Sequence, residues 1–280
     1  MAPSTEDVLP RGVAGVNLGA GVAPGRDRAF LATSALLFVA AVTGTIAWCA
    51  SMAGGMPMPG GWTMSMAWMR MPGQTWLGAA ASFAAMWLVM MVAMMLPSLV
   101  PMLAGYRRAE RGAGREGLGW RTALAGGGYF FVWAVVGAAV YVIGVAIAAC
   151  EMRWSVLAGA VPFATGAVLM LAGCLQLTPW KVRRLSACRE APGCCGPVAS
   201  DVGGPWRHGL RLGVHCALCC SGFVMAMVVG GVMDLGVMGA VALAITAERL
   251  SPRPVLVARL SGLVVLAFGI AAITRALVAP

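Results

Sequence analysis

Seven apolar runs divide the chain, at about residues 30–50, 79–104, 123–149, 155–178, 210–231, 234–250 and 255–278. A helix needs about 20 predominantly apolar residues to cross the hydrocarbon core of a bilayer, and each run is that long or nearly so. The sixth is the shortest and carries Glu248 near its end. Backbone in lipid must satisfy its own hydrogen bonds, and the runs lack the two-residue alternation of barrel strands, so they are predicted as helices. Only 11% of the residues are charged and 60% are hydrophobic, against about 25% charged in a soluble domain. The predicted fold is therefore all-α, a polytopic transmembrane helix bundle of about seven spans. Residues 29–280 form a single transmembrane helical domain, after a disordered cytosolic segment over 1–28.

The basic residues orient the bundle. With a cytosolic N-terminus, seventeen of the twenty Lys and Arg fall on the inner side, leaving only Arg70, Arg153 and Arg275 outside. The positive-inside rule then predicts N-in and C-out in a bacterial inner (plasma) membrane. The net charge of +10 is spent on orientation rather than on nucleic acid, which is not expected as a partner. A secretory signal has a shorter apolar core than the run from Phe30 to about Ala50, so that run reads as a retained helix. Cleavage near Ala50-Ser51-Met52-Ala53 is the alternative. Gly126, Gly127, Gly128, Gly137 and Gly144 in the third run are expected to let helices approach closely. No internal repeat supports an inverted-repeat transporter core.

Three features share soft sulfur donors. Met52, Met56, Met58, Met64, Met66, Met69 and Met71 crowd a Gly/Pro-rich loop after the first run, predicted to face outward. Thioether is a neutral ligand suited to Cu(I) that has no proton to lose; the plainer reading is an apolar loop, since methionine fills irregular gaps. In the second run Met86, Met90 and Met94 recur every four residues and climb one helix face, widened by Met91 and Met95. Taken alone that stripe reads as packing. Pro97 and Pro101 are expected to break the helix toward its cytosolic end and free backbone carbonyls.

The third feature is His215-Cys216-Ala217-Leu218-Cys219-Cys220 in the fifth run. With His215 at zero, Cys219 lies at about 40°, Cys216 at about 100° and Cys220 at about 140° around the helix. All four can converge, with His215 and Cys219 as a natural i, i+4 chelating pair. Thiolate and imidazole bind Cu(I) or Zn(II), and an ionisable group within a span is a functional hypothesis by default; inert packing of small hydrophobes is the alternative. Depth along the helices brings Cys174 of the fourth run near the same level, with Met90 and Met94 somewhat farther out. The candidate metal ligands are therefore His215, Cys216, Cys219, Cys220, Met90, Met94 and Cys174. Copper as Cu(I) is the expected metal, with zinc possible.

Other polar groups are secondary. Asp234 is expected to cap the sixth helix, Glu248 to pair with a nearby arginine or else to support the metal ligands, and His208 to sit at the interface beside Arg207. Cys188, Cys194 and Cys195 fall in a long inner loop and could hand a thiophilic metal to a cytosolic partner, or be reactive but structurally idle thiols. The nine cysteines lie mostly in or beside apolar segments, where reduced thiols are expected.

Met91-Val92-Ala93-Met94-Met95-Leu96-Pro97-Ser98, then Gln176-Leu177-Thr178-Pro179-Trp180-Lys181, then Gly209 to Cys220 with Ala247-Glu248-Arg249, resemble an uncharacterised bacterial family of predicted metal-binding integral membrane proteins. The resemblance runs over about residues 80–250 and implies metal binding without identifying the metal. Ser221-Gly222-Phe223-Val224-Met225 and Met233-Asp234-Leu235 depart from the family pattern. The leading expectation is a Cu(I)-handling protein that captures, transfers or transports the ion through the Met-rich loop, the Met stripe and the His/Cys cluster. The alternative is a non-catalytic accessory or assembly subunit of a larger membrane metalloenzyme complex. Its partners would be the lipid bilayer with either complex subunits or a metallochaperone. Membrane thiol–disulfide exchange is disfavoured because Cys216-x-x-Cys219 is buried in a span. No nucleophile triad, phosphate loop or dinucleotide fingerprint occurs in a credible context, so no enzyme is expected.

Overall fold

The computed structural model describes residues 24–52, 54–58, 62–71, 73–194 and 203–278. Residues 1–23 of the segment predicted as disordered lie outside these; from Pro24 onward the chain is already helical. In chain order come α1 (Pro24–Ser51), a hairpin of β1 (Gly55–Met58) and β2 (Trp62–Ser65), a single 3-10 turn over Met66–Trp68, then α2 (Trp76–Gly112), α3 (Leu118–Arg153) and α4 (Ser155–Leu177). These are followed by α5 (Pro179–Cys194), α6 (Gly204–Gly231), α7 (Leu235–Leu250) and α8 (Pro254–Val278). Every apolar run of the sequence is a helix. Among the described residues six helices, α1, α2, α3, α4, α6 and α8, are long and apolar enough to cross a membrane.

The seventh run differs. α7 has 16 residues, about 24 Å of rise against about 30 Å of hydrocarbon, so it falls short of a full span. Its start is set by the Asp234 carboxylate, which accepts from Val237 N at 2.9 Å as expected of a cap. Its end is set by Ser251-Pro252-Arg253-Pro254, where proline cannot continue the helical ladder. α7 nevertheless makes a return pass beside α6, bringing Arg249 down to the level of Cys216.

Contacts at separate levels fix the relative directions of the packed helices. Asp27 of α1 meets Arg111 at the far end of α2, while Gly44 faces Val89, so the two run antiparallel. Arg107 to Thr122 and Trp87 to Trp133 make α2 and α3 antiparallel. α3 and α6 run parallel, with Gly128 against Trp206 and Leu210, and Gly213 against Tyr129 and Val132. α4 and α8 are antiparallel, Gly166 meeting Gly269 and Gly173 meeting Gly262. One end of the bundle is thus rich in arginine; the hairpin and its methionines lie at the other.

Two expectations about helix ends need correction. Pro97 and Pro101 do not break α2, which runs unbroken from Trp76 to Gly112. The Ser98 hydroxyl donates to Met95 O at 3.0 Å in the stretch where the proline rings remove backbone donors. α2 and α3 also outrun their apolar cores. At 37 and 36 residues each is about 55 Å long, far beyond the hydrocarbon thickness. Most of the excess of α2, and about half of that of α3, lies at the arginine-rich end. There the buried Glu110 pairs with Arg115 at 3.1 Å and Arg121 at 3.2 Å, and Tyr106 stacks on His208 of α6. His208 is therefore buried in a helix contact rather than placed beside Arg207 at an interface.

Of the five glycines singled out in α3, Gly128, Gly137 and Gly144 sit where a side chain would meet Trp206 O, the Trp87 ring and the Trp68 ring, whereas Gly126 faces open space. The tightest approach is elsewhere, at Gly209 of α6, whose added Cβ would run into the backbone carbonyl of Ala125. Backbone on a packed helix cannot yield as a side chain can. Gly209→Ala is expected to cost about 1–3 kcal/mol through overpacking, whereas Gly126→Ala should be neutral or slightly stabilising. Thermal unfolding of the two variants in detergent checks the contrast.

Candidate metal centre

α6 turns Cys216, Cys219 and Cys220 into the core, each at most 2% exposed. Their 3-, 4- and 1-residue spacings put them on one side of the helix, where small thiols fit against α2, α3, α5 and α7. The pairwise contacts link Cys188, Cys219, Cys220 and Cys216 in a row of thiols. All four are free thiols. Cys188 is the member that sequence reasoning had placed in a loop. It is carried instead on α5, an unforeseen helix with a largely polar sequence, and is 1% exposed. The Cys219 thiol donates to Cys188 and holds it below the ordinary thiol range.

The Cys216 end of the row is the most densely contacted. Tyr129 OH lies 2.9 Å from Cys216 Sγ, Met95 Sδ lies at 3.9 Å, and Arg249 Nη2 donates to Cys216 Sγ at 2.9 Å. The same Arg249 nitrogen lies 3.6 Å from Cys220 Sγ, and Nη1 reaches Ser98 Oγ at 3.3 Å. Arg249 is 8% exposed, and the ion pairs found among the described residues do not include it. A buried guanidinium without a carboxylate needs electron-rich neighbours. Here those neighbours are sulfurs.

Glu248 pairs with a lysine, not with a nearby arginine as the sequence suggested. Adjacent residues on a helix point about 100° apart, and Glu248 turns the other way from Arg249, to Lys181 Nζ at 2.7 Å. Gln176 Nε2 donates to Glu248 at 3.0 Å, as does the Ser261 hydroxyl at 3.0 Å. Lys181 also donates to Cys219 O at 2.8 Å, so it joins the ion pair to the thiol row. Burial opposes the charge on Lys181, but its neighbours, Glu248 among them, outweigh this and hold it above the ordinary lysine range.

The expected ligands separate into two groups. Cys216, Cys219 and Cys220 come together, and Met90 and Met94 are buried in the same core, at 2% and 4% exposure, just along α2 from Met95. His215 and Cys174 stand apart. His215 is half-buried on the flank of α6, and its buried Nδ1 has no hydrogen-bond partner. Cys174 is exposed, because α4 turns Gly173 toward α8 and Gln176 toward Glu248. Cys195 lies outside the described residues. Among the described residues no three His, Cys, Asp or Glu side chains are disposed to hold one ion, so a closed four-ligand cage of the structural-zinc kind is not built. Thiols with a thioether form a softer, more open donor set, of the kind that suits soft metals.

Tyr129, Arg249 and Lys181 were not singled out as site residues from the sequence. For Arg249 and Lys181 a signal existed: a basic residue within or beside an apolar run needs a partner in the bundle.

A helical bundle with six helices fit to cross a membrane, closed around a row of thiols and a thioether, defines a polytopic membrane protein with soft-metal donors in its core. The chain belongs to the PpoB2 copper chaperone family, whose model matches residues 84–272. That match takes in every helix that contributes to the thiol row. Neither the curated proteins nor the solved structures contain a match to the chain. Copper handling is thus a property of the family, which names the metal that the sequence resemblance left open.

The Lys181–Glu248 pair offers a direct check on the site's electrostatics, with side chains 1% and 2% exposed. Lys181→Met strands a buried carboxylate and is expected to cost about 3–5 kcal/mol. The double variant K181M/E248Q should recover much of that loss, measured by thermal unfolding in detergent. Equal destabilisation by single and double variants would contradict the pairing.

Proposed function

We propose that this protein is a Cu(I)-handling protein of a bacterial inner membrane, not an enzyme, which holds the ion between two thiols of the Cys216–Cys219–Cys220 row at a time and passes it on. Copper is cargo in this reading, with Met95 as thioether co-ligand and Cys188 as the thiol that extends the row onto α5. The observation that carries the proposal is the contact geometry at Cys216: two soft donors 3.9 Å apart, with a carboxylate-free guanidinium against the same sulfur. Two thiolates on one Cu(I) leave a net charge of −1, and Arg249 supplies the balancing +1 inside the low-dielectric core.

The donors are graded along the bundle. Methionines at the hairpin end and along α2 bind Cu(I) weakly and carry no charge; the thiols at the other end bind it more strongly. An ion collected at the methionine-rich end would therefore descend toward Cys216, and Cys188 on α5 would bring it to the arginine-rich side. With that side cytosolic, as the basic residues favour, the direction is inward. The chaperone description of the family favours a second arm of the same reading, in which the protein supplies copper to a client metalloenzyme and acts as its assembly partner.

The test is metal content after anaerobic purification and loading with Cu(I). C216S/C219S/C220S is expected to lose the tightly held copper, and Arg249→Gln to weaken retention about tenfold or more, as for loss of one buried counter-charge. Copper content unchanged in the triple variant, or zinc in place of copper in the wild-type protein, would overturn the proposal.

A further inference from the structure

The Gly/Pro-rich, methionine-rich loop of the sequence contains two paired strands. Met56 pairs with Met64, Met58 with Trp62, Gly55 with Ser65 and Pro57 with Thr63. Side chains alternate along a strand, and directly opposed residues share a face with Cβ atoms about 4.5–5.5 Å apart. Met56, Met58, Met64 and Trp62 therefore occupy one face, and Gly55, Pro57, Thr63 and Ser65 the other. The methionine face is the one turned toward the bundle. Met64 is 1% exposed, Met58 and Trp62 are half-buried, and Met56 at the rim is 40% exposed.

The face is held in place from both sides. The Trp62 indole N–H donates to Ala158 O at the start of α4, at 2.9 Å. Just beyond β2, Trp68 fills the space left by Gly144 of α3 and lies 5.4 Å from the Phe83 ring of α2. Phe83 in turn stacks on Trp87, at the head of the methionine stripe. From Phe83 to Met95 is about 18 Å along α2.

We propose that Met56, Met58 and Met64, with the Trp62 ring, form a second Cu(I) site of thioether type, separate from the thiol row and placed at the end of the bundle where an ion would arrive. The chemistry is selective. Thioethers are soft and neutral, and an indole face attracts a monovalent cation without giving up a proton. Among the described residues of the hairpin there is no carboxylate, imidazole or thiol, so a hard or divalent cation finds nothing to prefer. Met56, open to solvent, is the first donor reached; Met64, buried opposite it, is the second. Met52, Met66, Met69 and Met71 lie outside this face. The inference takes copper as the cargo from the functional reading above but does not depend on the thiols.

The test is anaerobic titration of the full-length protein in detergent with Ag(I), the redox-inert stand-in for Cu(I), and then with Cu(I) itself. M56L/M58L/M64L conserves volume, so the fold is retained. It is expected to bind one equivalent fewer than the wild-type protein while keeping the thiol-bound ion. C188S/C216S/C219S/C220S is expected to keep the hairpin ion and lose the other. Trp62→Leu should leave the count intact and weaken the hairpin ion about tenfold. An unchanged count in the leucine variant overturns the inference and leaves the thiol reading standing. A cysteine variant that keeps all the wild-type metal overturns the thiol reading instead. Should the cysteine variant not fold, the leucine variant against wild type decides alone.

Discussion

The guanidinium of Arg249 sits in the core among sulfurs, and much of the molecule's design follows from accommodating it. A buried cation costs several kcal/mol unless its surroundings supply compensating electron density. Arg249 finds it in Cys216, Cys220, Ser98 and Met102, on two different helices. One side chain thereby ties the last turn of α7 to both α2 and α6. This explains why a helix too short to span a membrane by itself holds a fixed place. Its neighbour Glu248 ties the same turn to α4, α5 and α8 through Gln176, Lys181 and Ser261. The charges of Lys181 and Glu248 cancel, so the unbalanced charge of the centre is that of Arg249, facing the thiols where the cuprous cargo is proposed to bind.

The rest of the bundle positions those helices. α3 and α6 lie so close that Gly209 and Ala125 meet backbone to backbone, which sets Tyr129 within hydrogen-bond distance of Cys216. α4 and α8 approach through glycines as well, and α4 delivers Gln176 to Glu248. In lipid such contacts rest on close packing of small residues rather than on a hydrophobic driving force between helices. The over-long ends of α2 and α3 are joined by Glu110 and its two arginines, and the Tyr106–His208 stack ties them to α6. The methionine stripe between these two regions is fully enclosed, and Trp87 is pinned beside it by its hydrogen bond to Trp133 O.

Hydropathy made the helices legible because the physical constraint is blunt: backbone in lipid must be helical, and seven apolar runs became seven helices. It left their ends obscure. Arg107, Glu110 and Arg121 fall between the apolar runs, and only a partner across the bundle makes a charged helix end worth burying. The hairpin did carry a local signal. Met56-Pro57-Met58 and Trp62-Thr63-Met64 alternate around Pro59-Gly60-Gly61, a turn-forming stretch between two short strands. α5 carried little, being polar and short, so Cys188 was assigned to a loop.

The centre was half legible. Helical spacing brought Cys216, Cys219 and Cys220 to one side of α6, but spacing fixes only a helix's own face. Which helix comes next decided the rest. Cys174 and His215 failed to join because α4 and α6 turn other residues toward their neighbours, while Met95, Cys188, Tyr129 and Arg249 joined from four separate helices.

Copper K-edge X-ray absorption on the full-length protein, loaded anaerobically with a single equivalent of Cu(I), addresses the central claim most directly. Sulfur-only coordination at low coordination number, with no nitrogen or oxygen scatterer in the first shell, is the predicted result for an ion held by the Cys216 group and Met95. A first shell containing imidazole nitrogen or carboxylate oxygen would contradict it.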